Sequence, residues 1–267
     1  MYKISTALLL LLLIATPFRV QSQNIHNQKD EQGKKHGTWV KKYPNGQVQY
    51  QGHFEHGQPS GTFHRYFPDG DTMAIMDHSH PKGVYTQLFN KKGQKQAEGL
   101  YIDQKKDSTW MFYNEKGQVI MQESYEMGKR DGRSVKFFPN ADTSHVTTWQ
   151  DGKKHGIYKA FFPNGRLKLR AHYKEDELQG NFTIFFPNGF KEIIGSYRNN
   201  LRHGKWIYME NRTDTARVVQ YQDGEPGNEQ ARELKEHKEI EKLENNQGKF
   251  GDPREVVMPQ RRRRRNR

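Results

Sequence analysis

The chain has 267 residues, a net charge of 44 − 31 = +13, and no cysteine. Hydrophobic residues make up 32%, below the roughly 45–50% of an ordinary globular domain, yet aromatic residues alone are 12%. This excludes a disulfide framework, a thiolate zinc site, a thiol nucleophile and a single large aliphatic core, while the rings argue against wholesale disorder. What remains is thin, extended, aromatic-rich β structure.

Residues 1–22 read as a secretory signal. Lys3 gives a positive start, and Ala7 to Ala15 form an apolar run built on Leu8 to Leu13 and Ile14. That run is too short for a bilayer, which needs about 20 residues. Pro17 breaks it, and Val20-Gln21-Ser22 offers small residues for cleavage after Ser22. The mature chain is therefore expected outside the cytoplasm: periplasmic, in the cell envelope, or secreted. Residues 23–32 read as a linker.

Residues 33–227 are repetitive. GTWVKKYPNG, GTFHRYFPDG, GVYTQLFNKKG, STWMFYNEKG, GRSVKFFPNA, GIYKAFFPNG, GNFTIFFPNG and GKWIYMENRT start at 37, 61, 83, 108, 132, 156, 180 and 204. Two residues into each copy stands Trp39, Phe63, Tyr85, Trp110, Ser134, Tyr158, Phe182 or Trp206. Six residues in stands Tyr43, Phe67, Phe89, Phe138, Phe162 or Phe186. An even spacing puts these rings on one face of a strand. Pro-Asn-Gly or Pro-Asp-Gly then marks a turn, since Pro presets φ and Gly accepts positive φ. A second strand follows, as in Leu167, Leu169, Ala171 and Tyr173. Its final ring recurs as Phe54, Tyr101, Tyr125, Trp149, Tyr173, Tyr197 and Tyr221.

Each repeat is thus one β-hairpin, and a lone hairpin is marginal in water. Stacked edge to edge, eight hairpins give an all-β, elongated, single-layer antiparallel meander of about sixteen strands, roughly 75 Å long at strand spacing. Copies five and eight lack the turn glycine, having Ala141 and Thr213. Between repeats run Gly-containing basic stretches, read as loops: Lys34-Lys35, Lys129-Arg130, Lys153-Lys154 and Arg202. Residues 228–247, rich in Glu and Lys, predict a charged helix covering the last repeat. Residues 248–267 predict a disordered basic tail with Arg261, Arg262, Arg263, Arg264 and Arg265.

No catalytic constellation emerges. Asp77-His78-Ser79-His80 contains an H-x-H pair whose imidazoles share a face on a strand, a start for a metal site. Pro81 and Gly83 follow and no third ligand is marked, so no metal, cofactor or catalytic group is assigned. The candidate interaction residues are the rings Trp39, Trp110, Tyr158 and Trp206, the basic stretches, and the Arg tail. A row of cations suits an acidic surface.

Gly-x-aromatic, then aromatic-aromatic-Pro-Asn-Gly, a second-strand ring and a Gly-Lys-x-x-Gly connection resemble the MORN repeat, and more closely its bacterial variant. That resemblance covers about residues 33 to 227 and implies a scaffold, with roles in protein interaction, self-association or lipid contact. The reading is a non-catalytic exported interaction protein with a protein partner first, and an acidic glycan or anionic lipid surface as other candidates. Export argues against nucleic acid. The alternatives are an antitoxin-like or immunity protein that sheathes a toxic polypeptide, and a carbohydrate-active enzyme.

Overall fold

The computed structural model describes residues 26–210 and 215–227. These form one open antiparallel sheet of 19 strands in a meander, with no helix among the described residues. Sixteen strands have six to nine residues, and three have two. The first strands of the eight repeats include Lys35–Lys42, Gln58–Tyr66, Val84–Phe89, Lys105–Tyr113, Lys129–Phe137, Lys153–Phe161, Gly180–Phe185 and Leu201–Met209. The second strands are Val48–Glu55, Thr72–Asp77, Lys95–Ile102, Val119–Glu126, Thr143–Gln150, Leu167–Lys174, Lys191–Arg198 and Thr215–Gln222. The signal segment, the charged helix and the Arg-rich tail expected from the sequence lie outside the described residues.

Two turn types alternate. Within a repeat, Tyr43 N–H donates to Gln47 O and Gly46 N–H to Tyr43 O, and the pattern recurs down to Phe186 and Phe190. In repeat five, Ala141 takes the glycine's place and its positive φ of 67° while keeping both hydrogen bonds. Between repeats, two residues at positive φ, such as Met127 and Gly128, close a tight turn that suits the right-handed twist of the flanking strands. The basic stretches are therefore not loops. Lys129, Arg130, Lys153, Lys154 and Arg202 already lie in strands, because the two-residue turn leaves them nowhere else to go.

The glycine that opens most repeats has a different task. From Arg130 to Ser134 the first strand advances four residues while its partner advances two, from Tyr125 to Glu123. Gly132, at φ 88°, sits in this bulge, and Gly156, Gly180 and Gly204 repeat it. Ser124, Thr148 and Ser196 hydroxyls donate to the bulged carbonyls of Arg133, Ile157 and His203.

The core is a stack of rings along one face. Trp110 and Trp206 are fully buried although the sheet has a single layer. Each indole lies over a glycine of the preceding strand, Gly99 or Gly195, and Phe63 lies over Gly52 in the same way. A Cβ on Gly99 would stand 2.5 Å from the Trp110 ring. The indole N–H groups donate to Leu100 O at 3.0 Å and to Ser196 O at 3.1 Å. Second-strand rings meet them edge-on: Tyr101 on Trp110 at 4.9 Å, and Tyr197 on Trp206 at 5.2 Å. Edge-to-face pairs add roughly 0.5–1.5 kcal/mol each beyond area burial.

Facing residues trade size down the column. Gly52 faces Phe63, Gly99 faces Trp110, Ala171 faces Phe182 and Gly195 faces Trp206. Where the first partner is large, as Met76 or Glu123, the second is small, Thr86 or Ser134. Thr86 corrects the sequence expectation. The junction between repeats two and three pairs Asp77 with Tyr85 and Met76 with Thr86 without a bulge. Repeat three is consequently advanced by one residue, and a one-residue slip changes faces. Thr86 is buried in the column, while Tyr85 points to the other face and is 36% exposed. His78 closes the gap by packing edge-on against Phe63 at 4.8 Å.

Two substitutions test this frame. Ala141→Gly should stabilise the protein by about 1 kcal/mol, since it removes a Cβ from a left-handed residue. Gly99→Ala should destabilise it by about 3 kcal/mol, since the new methyl meets a ring with nowhere to move. Denaturant unfolding reads both, and a neutral Gly99→Ala would contradict the ring-on-glycine packing.

Candidate interaction surface

The expected row of cations divides in two. Strand alternation sends one residue of each basic pair onto the rings and the other to solvent. Lys35 Nζ lies 4.6 Å from the Phe54 ring centre and 4.8 Å from that of Trp39, and donates to Tyr50 Oη at 3.1 Å. Lys106 lies 4.4 Å above Trp110, Lys154 5.0 Å above Tyr173, and Arg202 4.9 Å above Trp206. Arg130 stacks on Trp149 at 3.4 Å. These cations cover the ring column with their own side chains.

The outward members meet acids from the next turn. Lys129 pairs with Asp151 at 3.0 Å and Lys153 with Glu175 at 3.8 Å. His203 approaches Asp223 at 3.5 Å. The turn edge is thus a ladder of both signs, with each acid supplied one repeat later. Exposed pairs of this kind contribute roughly 0–1 kcal/mol apiece. Lys34 sits in the turn before the first long strand and is exposed.

Burial decides the ring candidates. Trp110 and Trp206 are enclosed, Tyr158 is buried against Tyr173 and His145, and only Trp39 is half-exposed. Trp39 belongs to the first repeat, whose edge is covered by residues 27–29. Its indole donates to Gln28 O at 2.9 Å. The Asn27 side chain imitates a neighbouring strand, accepting from Val40 N at 2.8 Å and donating to Val40 O at 3.1 Å. Asp30 holds this cap in place. It accepts from Gln32 N and Lys34 N, and its hydrogen bond with His56 keeps its carboxyl below the usual range.

The His78 and His80 imidazoles do not converge. His78 packs on Phe63, whereas His80 stacks on Tyr85 at 6.3 Å. Among the described residues no three His, Cys, Asp or Glu side chains come together as a metal site would require. On the outer face, Glu98 gathers Tyr113, Lys95 at 2.9 Å and Gln87 at 3.1 Å. Burial acts to raise its carboxyl, but these three donors outweigh that and hold it below the usual range.

Sequence reasoning missed an interruption at repeat five. Across the ring face runs a row of facing residues: Phe112 with Met121, Lys136 with His145, Ala160 with Leu169, and Ile184 with Ile193. Beside it, Glu123, Ser134 and Thr147 replace the ring-on-glycine pair. Glu123 is 3% exposed and accepts from Tyr125 Oη at 2.5 Å and Ser134 Oγ at 3.3 Å, with Arg130 at 3.8 Å. The apolar core is accordingly split into one cluster from Ala97 to Tyr125 and another from Tyr158 to Tyr221. The missing ring at Ser134 was the visible signal. Its meaning depended on cross-strand neighbours that only the register reveals.

The family described as MORN repeat variant matches residues 35–56 and 154–175. No curated protein matches the chain. Among solved structures, a TcdB2-TccC3 crystal structure is similar at 10% identity and a TM-score of 0.23, over 73% of this chain and 15% of that one. A Tc holotoxin pore of Photorhabdus luminescens is similar at 11% identity and a TM-score of 0.23, over 75% of this chain and 13% of that one. The chain thus spans a small part of either neighbour's length.

Acid should act on the interruption. Burial, aided by the like charges of Lys136 and Lys168, pushes His145 down to about 4. The ring titrates near about 6.5 in an unfolded chain. Between those values the unfolded state holds the extra proton, so stability falls as pH drops through that window. His145→Gln should flatten this part of the acid response. Denaturation midpoints at about pH 7 and about pH 5 for both proteins check it, and equal acid losses would contradict the assignment.

Proposed function

Because this chain is a MORN-repeat protein, we propose that it is an exported, non-catalytic scaffold that binds a protein partner along its sheet. The observation that carries this reading is the architecture. Eight repeats in one open meander present long, regular surfaces, and repeat arrays of this kind use such surfaces for binding. The positions that vary from repeat to repeat set where a partner contacts it. The sequence of residues 1–22 supports export, and the Arg tail supplies a second, electrostatic anchor.

Capture with the mature chain from envelope fractions tests the proposal. The expected result is a stoichiometric complex with one protein. Its affinity should fall with salt, because exposed charges are screened beyond about 8 Å at physiological ionic strength. Truncation after Gly251 should remove most of that salt dependence. A chain isolated with Met1 intact from the cytoplasm, or one that stays alone in every fraction, would overturn the reading.

A further inference from the structure

We propose that the interruption formed by Lys136, His145 and Lys168 on the ring face is the docking site for an acidic, extended segment of a protein partner. This rests on the scaffold reading and deepens it by naming where the partner sits and what it carries.

Placement is the first argument. Lys136 and His145 stand in a row whose neighbouring members, Phe112, Met121, Leu169, Ile184 and Ile193, are apolar, and all five belong to the buried core. A lysine and an imidazole there weaken the stack and split the core in two. Half-burying a charge costs stability unless it finds a partner. Among the described residues neither Lys136 nor Lys168 forms an ion pair. The Lys168 ammonium lies 5.6 Å from the Phe162 ring centre. A cost that the fold does not need points to use.

Charge is the second. The groups facing this site are Lys136, His145, Lys168, Lys154, Arg130, Glu123 and Asp176. Glu123 is taken up by Tyr125, Ser134 and Arg130. Asp176 accepts from Lys154 N at 2.8 Å. The remaining charge is positive, with Lys136 and Lys168 near enough to disfavour a proton on His145. Size is the third. Ser134 is small where equivalent positions hold Trp110 and Trp206, and Ala160 where they hold Phe112 and Tyr208.

The same geometry selects the ligand. Tyr158 and Phe162 flank the site. A singly charged carboxylate loses less hydration there than a dianionic phosphate does. Lys136 and Lys168 lie three strands apart, about 14 Å at sheet spacing. An extended chain advances about 3.4 Å per residue, so carboxylates at i and i+4 match that separation. The occupant is therefore a strand-like segment with Asp or Glu at i and i+4, crossing the strands of the sheet.

The test uses the mature chain and a blocked peptide carrying glutamates at i and i+4, with a peptide carrying them at i and i+1 as comparator. The His145 imidazole resonances report binding, and its pKa should rise when a carboxylate arrives. Lys136→Met should weaken binding by about fivefold or more, while Lys136→Arg and Lys129→Gln stay within about twofold. Lys136→Met adds an apolar side chain to an apolar row, so its thermal midpoint should not fall, separating lost binding from lost fold. The inference is overturned if His145 does not respond, if both peptides bind equally, if a sulfated oligosaccharide alone binds, or if Lys129→Gln and Lys136→Met cost the same. A captured natural partner that ignores Lys136→Met sinks this site and leaves the scaffold standing. Loss of all capture by the wild-type chain sinks the scaffold.

Discussion

A ring lying flat across a glycine of the preceding strand is the contact on which the rest of this structure depends. A single-layer sheet has no second layer to cover its apolar face. The rings must therefore cover one another and the backbone beneath them. Trp110 over Gly99 and Trp206 over Gly195 reach complete burial this way. An indole buries roughly 200 Å², worth up to about 5 kcal/mol, and its N–H finds a carbonyl one residue beyond the glycine. Removing the Cβ from one strand makes room for the largest side chain on the next.

The other regularities follow from that arrangement. The bulge at most of the opening glycines offsets the strands by two residues. Ser or Thr hydroxyls satisfy the carbonyls this frees. Lysine and arginine stems lie across the exposed ring edges, where cation–π contacts are worth roughly 0.5–1 kcal/mol each. Their outward neighbours pair with acids in the next turn. Side chains also tie neighbouring repeats at the opposite edge, Asn45 Nδ2 donating to Pro68 O at 2.7 Å and Arg166 Nη1 to Pro187 O at 3.0 Å. Each repeat is held mainly by the ones before and after it. A change in one repeat, such as the polar insertion at repeat five, is accommodated locally.

Much of this was legible in the sequence. The period, the Pro-Asn-Gly turns and the ring column two residues in follow from residue spacing, because strand geometry repeats every two residues and a turn needs special dihedrals. The rings six residues in, apart from Phe89, stand in the turns beyond the strand ends and not on the strands. Three features were not legible. Tyr85 looked like a member of the column, yet a junction without a bulge places Thr86 there; the shortened spacing from 61 to 83 marks the irregular junction, but the face it gives Tyr85 depends on the register. The basic stretches looked like loops because glycines flank them, but one glycine serves a two-residue turn and the other a bulge inside a strand. The size exchange between facing residues, and so the meaning of Ser134, Lys136 and His145, depends on register between repeats. Trp110 and Trp206 read first as the glue of the sheet and second as rings that a ligand could stack on, and both are fully buried in the column.

A double-mutant cycle at Gly195 and Trp206 tests the central contact most directly. Gly195→Ala should be costly beside Trp206. It should cost little beside Trp206→Phe, which recreates the Ala171 and Phe182 pair of the preceding repeat. The account predicts a coupling of about 1.5 kcal/mol or more in denaturant unfolding. Additive losses, with Gly195→Ala equally costly beside either ring, would contradict it.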